Sequence, residues 1–132
     1  MSDPLADVLE GYLDLRWRIN PVEGTYVGRQ EFDSELPRFD AASLREYAAA
    51  LRSYTASLEE VEAGSLDDEI DRTAALHAAR HDLLVLEREK PHARNPCYAL
   101  LSALNGIHLL LVRDSDDAAH RAAALQIGRA HV

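Results

Sequence analysis

The stretch from Asn95 to Asp114, NPCYALLSALNGIHLLLVRD, limits what this chain can fold into more than any other. Between Cys97 and Val112 only Ser102, Asn105, Gly106 and His108 interrupt an apolar run. A helix that is apolar on nearly every side is expected to be buried among other helices. Asn95 suits an N-cap and Pro96 the first helical position, so the spacing predicts a helix start there. The run is shorter than the ~20 residues a bilayer needs and carries Asn and His, which predicts a core helix and not a membrane span. These residues set an architecture but carry no chemistry of their own.

A length of 132 residues is about one domain. The composition, 47% apolar and 28% charged, is that of a globular chain and not of a disordered one. The net charge of −9 argues against nucleic acid and against anionic membrane surfaces, which attract clustered Lys and Arg. The acids cluster at Glu59-Glu60-Glu62, Asp67-Asp68-Glu69 and Asp114-Asp116-Asp117, as helix N-terminal turns and solvated faces do. Cys97 is the only cysteine, so an internal disulfide is impossible and a thiol metal cluster is not expected. The N-terminal MSDPLADVLEGY has neither a basic start nor an apolar signal core, and a cytoplasmic protein is the default expectation.

The periodicity predicts an all-α protein: an antiparallel bundle of about five helices with one long loop after the first. The first helix starts at Ser2 or Asp3 with Pro4 in its first turn, and Asn20-Pro21 ends it. Leu5, Val8, Leu9, Tyr12, Leu15 and Ile19 form its apolar stripe, with Trp17 at the edge. Gly24, Gly28 and Pro37 punctuate the loop that follows, after a short helical turn from Val22 to Val27. Tyr26, Val27, Phe32 and Leu36 are expected to pin this loop onto the helices.

Asp40 caps the second helix, with Ser43 and Glu46 as an alternative start, and Gly64 is expected to stop it. Its stripe is Leu44, Tyr47, Leu51, Tyr54, Leu58 and Val61. Ser65-Leu66-Asp67-Asp68 opens a third helix running to about Lys90, where Pro91 ends it. Ile70, Thr73, Leu76, Ala79, Leu83 and Leu86 face its partner, which makes the two an αα-hairpin. After the apolar helix, Asp114-Ser115-Asp116-Asp117 caps a fifth helix, AAHRAAALQ. The last six residues, Ile127 to Val132, do not continue its pattern. They resemble the translation of a sequencing-library adapter. The expected organisation is therefore a helical segment over 1–126, truncated from a larger protein, and a non-native tail over 127–132.

Few side chains suggest chemistry. His77 and His81 share a helix face at the four-residue spacing by which H-E-x-x-H helices hold zinc, but Ala78 stands where the general base would be. A solvated pair is the simpler reading; a third ligand would have to come from elsewhere, with Asp82 and Glu87 as candidates. His108, three residues after Asn105, reads as a buried histidine with a polar neighbour. Cys97 reads as small-hydrophobe packing, or as a thiol acidified by a helix terminus. His92 and Arg94 lie in the connector between Pro91 and Pro96, where they meet solvent or an anion. There is no phosphate loop, no dinucleotide fingerprint, no G-x-S-x-G and no H-E-x-x-H.

The order of features resembles a bacterial family called domain of unknown function 885. It is carried by Asn20-Pro21, Thr25, Gly28 and Phe32-Asp33, then Leu36-Pro37, the αα-hairpin, and Asn95-Pro96 before a Tyr- and Leu-rich helix. The resemblance covers about Leu5 to Leu125, with no single diagnostic motif, and Gly24 stands where alanine is expected. It implies a much longer, mostly helical protein similar to zinc metallopeptidases of the carboxypeptidase type. The zinc helix and its acidic ligand would lie in a C-terminal half outside this sequence. No catalytic residue is therefore carried over, and the segment is expected to be a lid or wall over a peptide-substrate channel.

Two other readings compete with an inactive truncated segment of this kind. One is a self-contained acidic helical module that binds a partner protein. The other is a small helical metal-binding protein built on His77 and His81. Truncation carries a physical expectation of its own: the apolar helix would lack part of its packing shell, expose a large apolar patch and self-associate.

Overall fold

The structure, a computed structural model, describes residues 3–113 and 118–129, the last three as backbone alone. Every regular element among them is helical, as the periodicity predicts. In chain order these are α1 (Pro4–Ile19), α2 (Pro21–Tyr26), a 3-10 turn (Gln30–Phe32), α3 (Ala41–Glu60) and α4 (Leu66–Leu84). A π-helical turn (Val85–Glu89), α5 (Pro91–Arg94), α6 (Tyr98–Val112) and α7 (Ala118–Arg129) follow. Five of the helices are long, and α2 and α5 are short additions between them. No single helix among the described residues is long and apolar enough to cross a membrane.

The chain divides into two compact units. The first comprises Met1–Arg16 and Phe39–Pro91, the second Trp17–Arg38 and His92–Val132.

In the first unit α3 and α4 form the expected hairpin. Asp40 begins α3: its carboxylate accepts from the Ser43 amide at 2.9 Å and the Ser43 hydroxyl at 2.7 Å. The Ser43 hydroxyl, and then its amide, hold the Asp40 carboxyl below its ordinary range. Ser65 begins α4 in the same way, its hydroxyl accepting from the Asp68 amide at 3.1 Å. Asp3 does so for α1, accepting from the Leu5 amide at 3.0 Å. These three side chains satisfy amide donors that an uncapped helix start would leave open. Ala48, Leu51, Leu58 and Ala79 are buried in this unit, with Leu5, Tyr12 and Leu15 of α1. A β-carbon on Gly11 would lie 2.5 Å from the Tyr54 hydroxyl, so glycine is what lets the two approach so closely.

Three expectations are corrected or refined here. Helix α3 ends at Glu60, and Gly28, not Gly64, is the glycine with positive φ, so no glycine cap closes α3. The third helix runs to Glu89 and ends before Pro91 as expected, but beyond Leu84 its last turn widens from α to π. The Lys90 amide bonds the Val85 carbonyl at 2.9 Å, a five-residue step, and Lys90 takes a left-handed φ of 46° before Pro91. Of the predicted stripe Ala79 is buried and Thr73, Leu76, Leu83 and Leu86 are half-buried, whereas Ile70 is 57% exposed.

In the second unit α2 and the 3-10 turn pack together, and α6 contacts both α2 and α7. Phe32 is buried and meets the Trp17 ring edge-on, with centroids 6.5 Å apart. The Arg29 guanidinium lies 4.6 Å above the Trp17 ring, a cation–π contact. A β-carbon on Gly24 would sit 2.8 Å from Phe32 Cδ2, so the Phe32 ring occupies the space any larger residue would need.

Phe32 and Leu36 tie the loop down as expected, but Tyr26 (74% exposed) and Val27 (52% exposed) do not. Pro21, Val22 and Thr25 take their place as buried anchors. Helix α6 begins at Tyr98 and not at Pro96: the Asn95 side chain accepts from the Cys97 amide at 3.0 Å and the Asn95 carbonyl from the Tyr98 amide at 3.0 Å. Asn95 thus forms a turn ahead of the helix. The backbone of α7 stays helical to Arg129, across the expected boundary at 126; the predicted cap at Asp114–Asp117 and residues 130–132 lie outside the described residues.

Candidate functional site

The largest departure from expectation is α6 itself. Only Leu110 of its fifteen residues is buried. The side toward α2 and α7 is covered: a β-carbon on Gly106 would lie 3.2 Å from Val22 Cγ2, and Leu110 and Ala124 are 4% and 5% exposed. The opposite side is open, with Leu100, Leu101, Leu104, Ile107, Leu111 and Val112 all counted among exposed large hydrophobics. Two helices cover only one side of an all-apolar helix, and among the described residues α2 and α7 are the helices that pack substantially on α6.

An open groove of about 770 Å³ runs between α2 and α6. Leu101, Leu104, Tyr98 and Tyr26 give it an apolar and aromatic lining, while Glu23 and His108 supply polar groups. That is the composition of a cleft for an extended, largely apolar segment with a few orienting hydrogen bonds. His108 and Asn105 are both exposed and line this groove, which corrects the expectation of a buried pair. Cys97 is a free, exposed thiol and not a packed one.

Behind the covered side of α6 lies a charged cluster. Asp33, whose side chain is 1% exposed, pairs with Arg113 at 3.1 Å and His120 at 3.0 Å. Arg113 also donates to the Thr25 carbonyl at 3.1 Å, and Arg121 donates to the Arg113 carbonyl at 2.8 Å. A carboxylate taken this far out of water requires such partners. The cluster ties the segment after α2 to the end of α6 and the start of α7. It touches backbone and buried side chains, as a structural clamp does. The sequence offered no signal for it beyond the Phe32-Asp33 pair, since its members lie 80 and 87 residues apart.

In the first unit, Asp82 accepts from the Tyr12 hydroxyl at 3.0 Å and from Arg16 at 2.8 Å. Burial pushes the Tyr12 hydroxyl up from 10.0 to about 12, against the lowering effect of its Arg16 hydrogen bond. His77 and His81 are exposed on α4. Among the described residues no group of three or more His, Cys, Asp or Glu is placed to hold a metal ion. His92 is half-buried in the short α5 and Arg94 is exposed. Within the second unit, neither His92 nor Arg94 lines the α2–α6 groove.

No family model matches the chain, and neither a curated protein nor a solved structure shows significant similarity to it.

Proposed function

We propose that this chain is a helical wall or lid segment of a larger zinc metallopeptidase-like protein, similar to the domain of unknown function 885 family, with no catalytic residue of its own. The α2–α6 groove carries the reading. It is open along its length, lined by Leu101, Leu104, Tyr26 and Tyr98, and edged by His108 and Glu23. Such a surface suits the passage of an extended peptide, which offers apolar side chains and backbone hydrogen-bonding groups alternately. In the longer form, zinc and the general base would be supplied by the rest of the protein, and the peptide would be its substrate.

The order of sequence features supports the reading, and one position weighs against it. The alanine expected at position 24 would drive its β-carbon into the Phe32 ring. The family pattern and this packing therefore agree only if Phe32 sits elsewhere in relatives.

The test is to read the source gene past the codon for Gln126. A frame that continues for several hundred codons into an H-E-x-x-H helix supports the assignment. A stop directly after Val132 overturns it and favours the second reading, a self-contained acidic module whose groove binds a partner protein.

A further inference from the structure

The open side of α6 has a regular pattern. Leu100, Leu104, Ile107 and Leu111 recur at steps of four, three and four, and they are between 42% and 63% exposed. Leu101 and Val112, each 58% exposed, flank them. This is the spacing by which one helix packs its seam against another.

The same helix differs in charge from the rest of the molecule. From Tyr98 to Val112 it carries no Asp, Glu, Lys or Arg, in a protein of net charge −9. Repulsion between like-charged copies opposes their meeting through acidic surfaces. It is weakest across this helix. A two-fold interface sets one patch against itself, so an uncharged apolar patch is self-complementary where a charged one is not.

The size also fits. Scaled by their exposures, the six side chains offer on the order of 400 Å² of apolar surface, at ~120 Å² for each one fully exposed. A standard interface buries about 800 Å² per partner, somewhat over half of it apolar. Tyr26, 74% exposed across the groove from Leu104, extends the patch toward that requirement.

From these observations we infer that the open side of α6 is the docking surface for a second copy of this chain, forming a two-fold dimer with Leu104 near the axis. On the groove side the patch is bordered by Asn105, His108 and one acid, Glu23 of α2, while the helix itself carries no charge.

Sedimentation of the whole chain, with a reductant present so that Cys97 cannot cross-link, tests this. A dimer is expected, and Leu104→Glu should weaken it roughly 100-fold or more, because the axis would bury two carboxylates together. Ile70→Glu, on exposed α4, should leave the dimer unchanged. Far-UV circular dichroism checks that both variants keep their helices, and Leu111→Lys repeats the test should the first variant fail to fold. A chain that stays monomeric at about 100 μM, a dimer that survives both α6 substitutions, or one lost equally with Ile70→Glu, would each overturn the assignment. A second copy would cover Leu101 and Leu104, which also line the groove, so pairing and peptide passage exclude one another on this surface. Sedimentation decides the pairing and the reading frame decides the peptidase assignment.

Discussion

The α3–α4 hairpin and the α2–α6–α7 unit are held together in opposite ways. In the hairpin, Ala48, Leu51, Leu58 and Ala79 meet inside, and the pairs Arg80–Glu59 and Arg52–Glu87 lie outside beside the exposed Leu66, Ile70 and Leu84. In the other unit a carboxylate and a guanidinium are interior, while leucines face water. The hairpin follows the ordinary rule that a charged exterior keeps a chain dispersed. The other unit inverts it. An apolar exterior is tolerated when something is meant to cover it, and an interior ion pair fixes which elements meet without adding much net stability. Each unit therefore has a different weak point.

The sharpest way to break this contrast is Asp33→Ala. It removes the buried carboxylate that pairs with Arg113 and His120 and should cost about 4 kcal/mol by urea unfolding. Hydrogen exchange should rise in α6 and α7 while α3 and α4 stay protected. Protection lost evenly across both units would mean the contrast has no energetic content. Leu58→Ala is its counterpart in the hairpin. With Leu58 0% exposed, the cavity should cost about 3 kcal/mol, and exchange should rise first in α3 and α4.

Alkaline pH gives the third comparison. Because the Tyr12 hydroxyl is held protonated up to about 12, its contribution is complete below the ordinary value of 10.0 and is lost as pH rises through 12. Over that window the native chain should lose roughly 2–3 kcal/mol more than the Tyr12→Phe variant. Parallel pH curves for the two would show that burial does not raise this group. Ser65→Ala removes the cap on α4 and should cost about 1 kcal/mol by the same unfolding assay. Arg80→Ala, which breaks a solvent-exposed pair, should change stability by less than about 0.5 kcal/mol; a larger loss would mean the hairpin's exterior charges do more than keep it dispersed.

Much of the fold is legible in the sequence because it rests on local rules. Asp40 and Ser65 cap where their spacing says, and Asn20-Pro21 separates α1 from α2. What is not legible depends on distant partners. Apolar character on all sides of α6 says that it wants cover, but not whether cover is present, so Leu100 and Leu111 read as core and lie exposed. Tyr26 and Val27 fail as anchors for the same reason. Asp33 reads as a loop acid, because nothing near it in the chain shows that Arg113 will lie 3.1 Å away. His108 reads as interior from its neighbours and lines an open groove instead.

The widened turn from Val85 to Glu89 amounts to a change of phase. One extra residue in a turn rotates everything after it by about 100° relative to a straight helix. Glu87 lies inside that turn, and it is in this setting that it meets Arg52 across the hairpin. Drawing all five residues from Val85 to Glu89 into α geometry would swing the following chain to another side of the axis, whereas deleting one of them would let the helix run on evenly with its exit nearly unchanged. The widened turn thus holds one residue that a straight helix could do without, and loss of one residue here should disturb the hairpin less than loss of one elsewhere in α4.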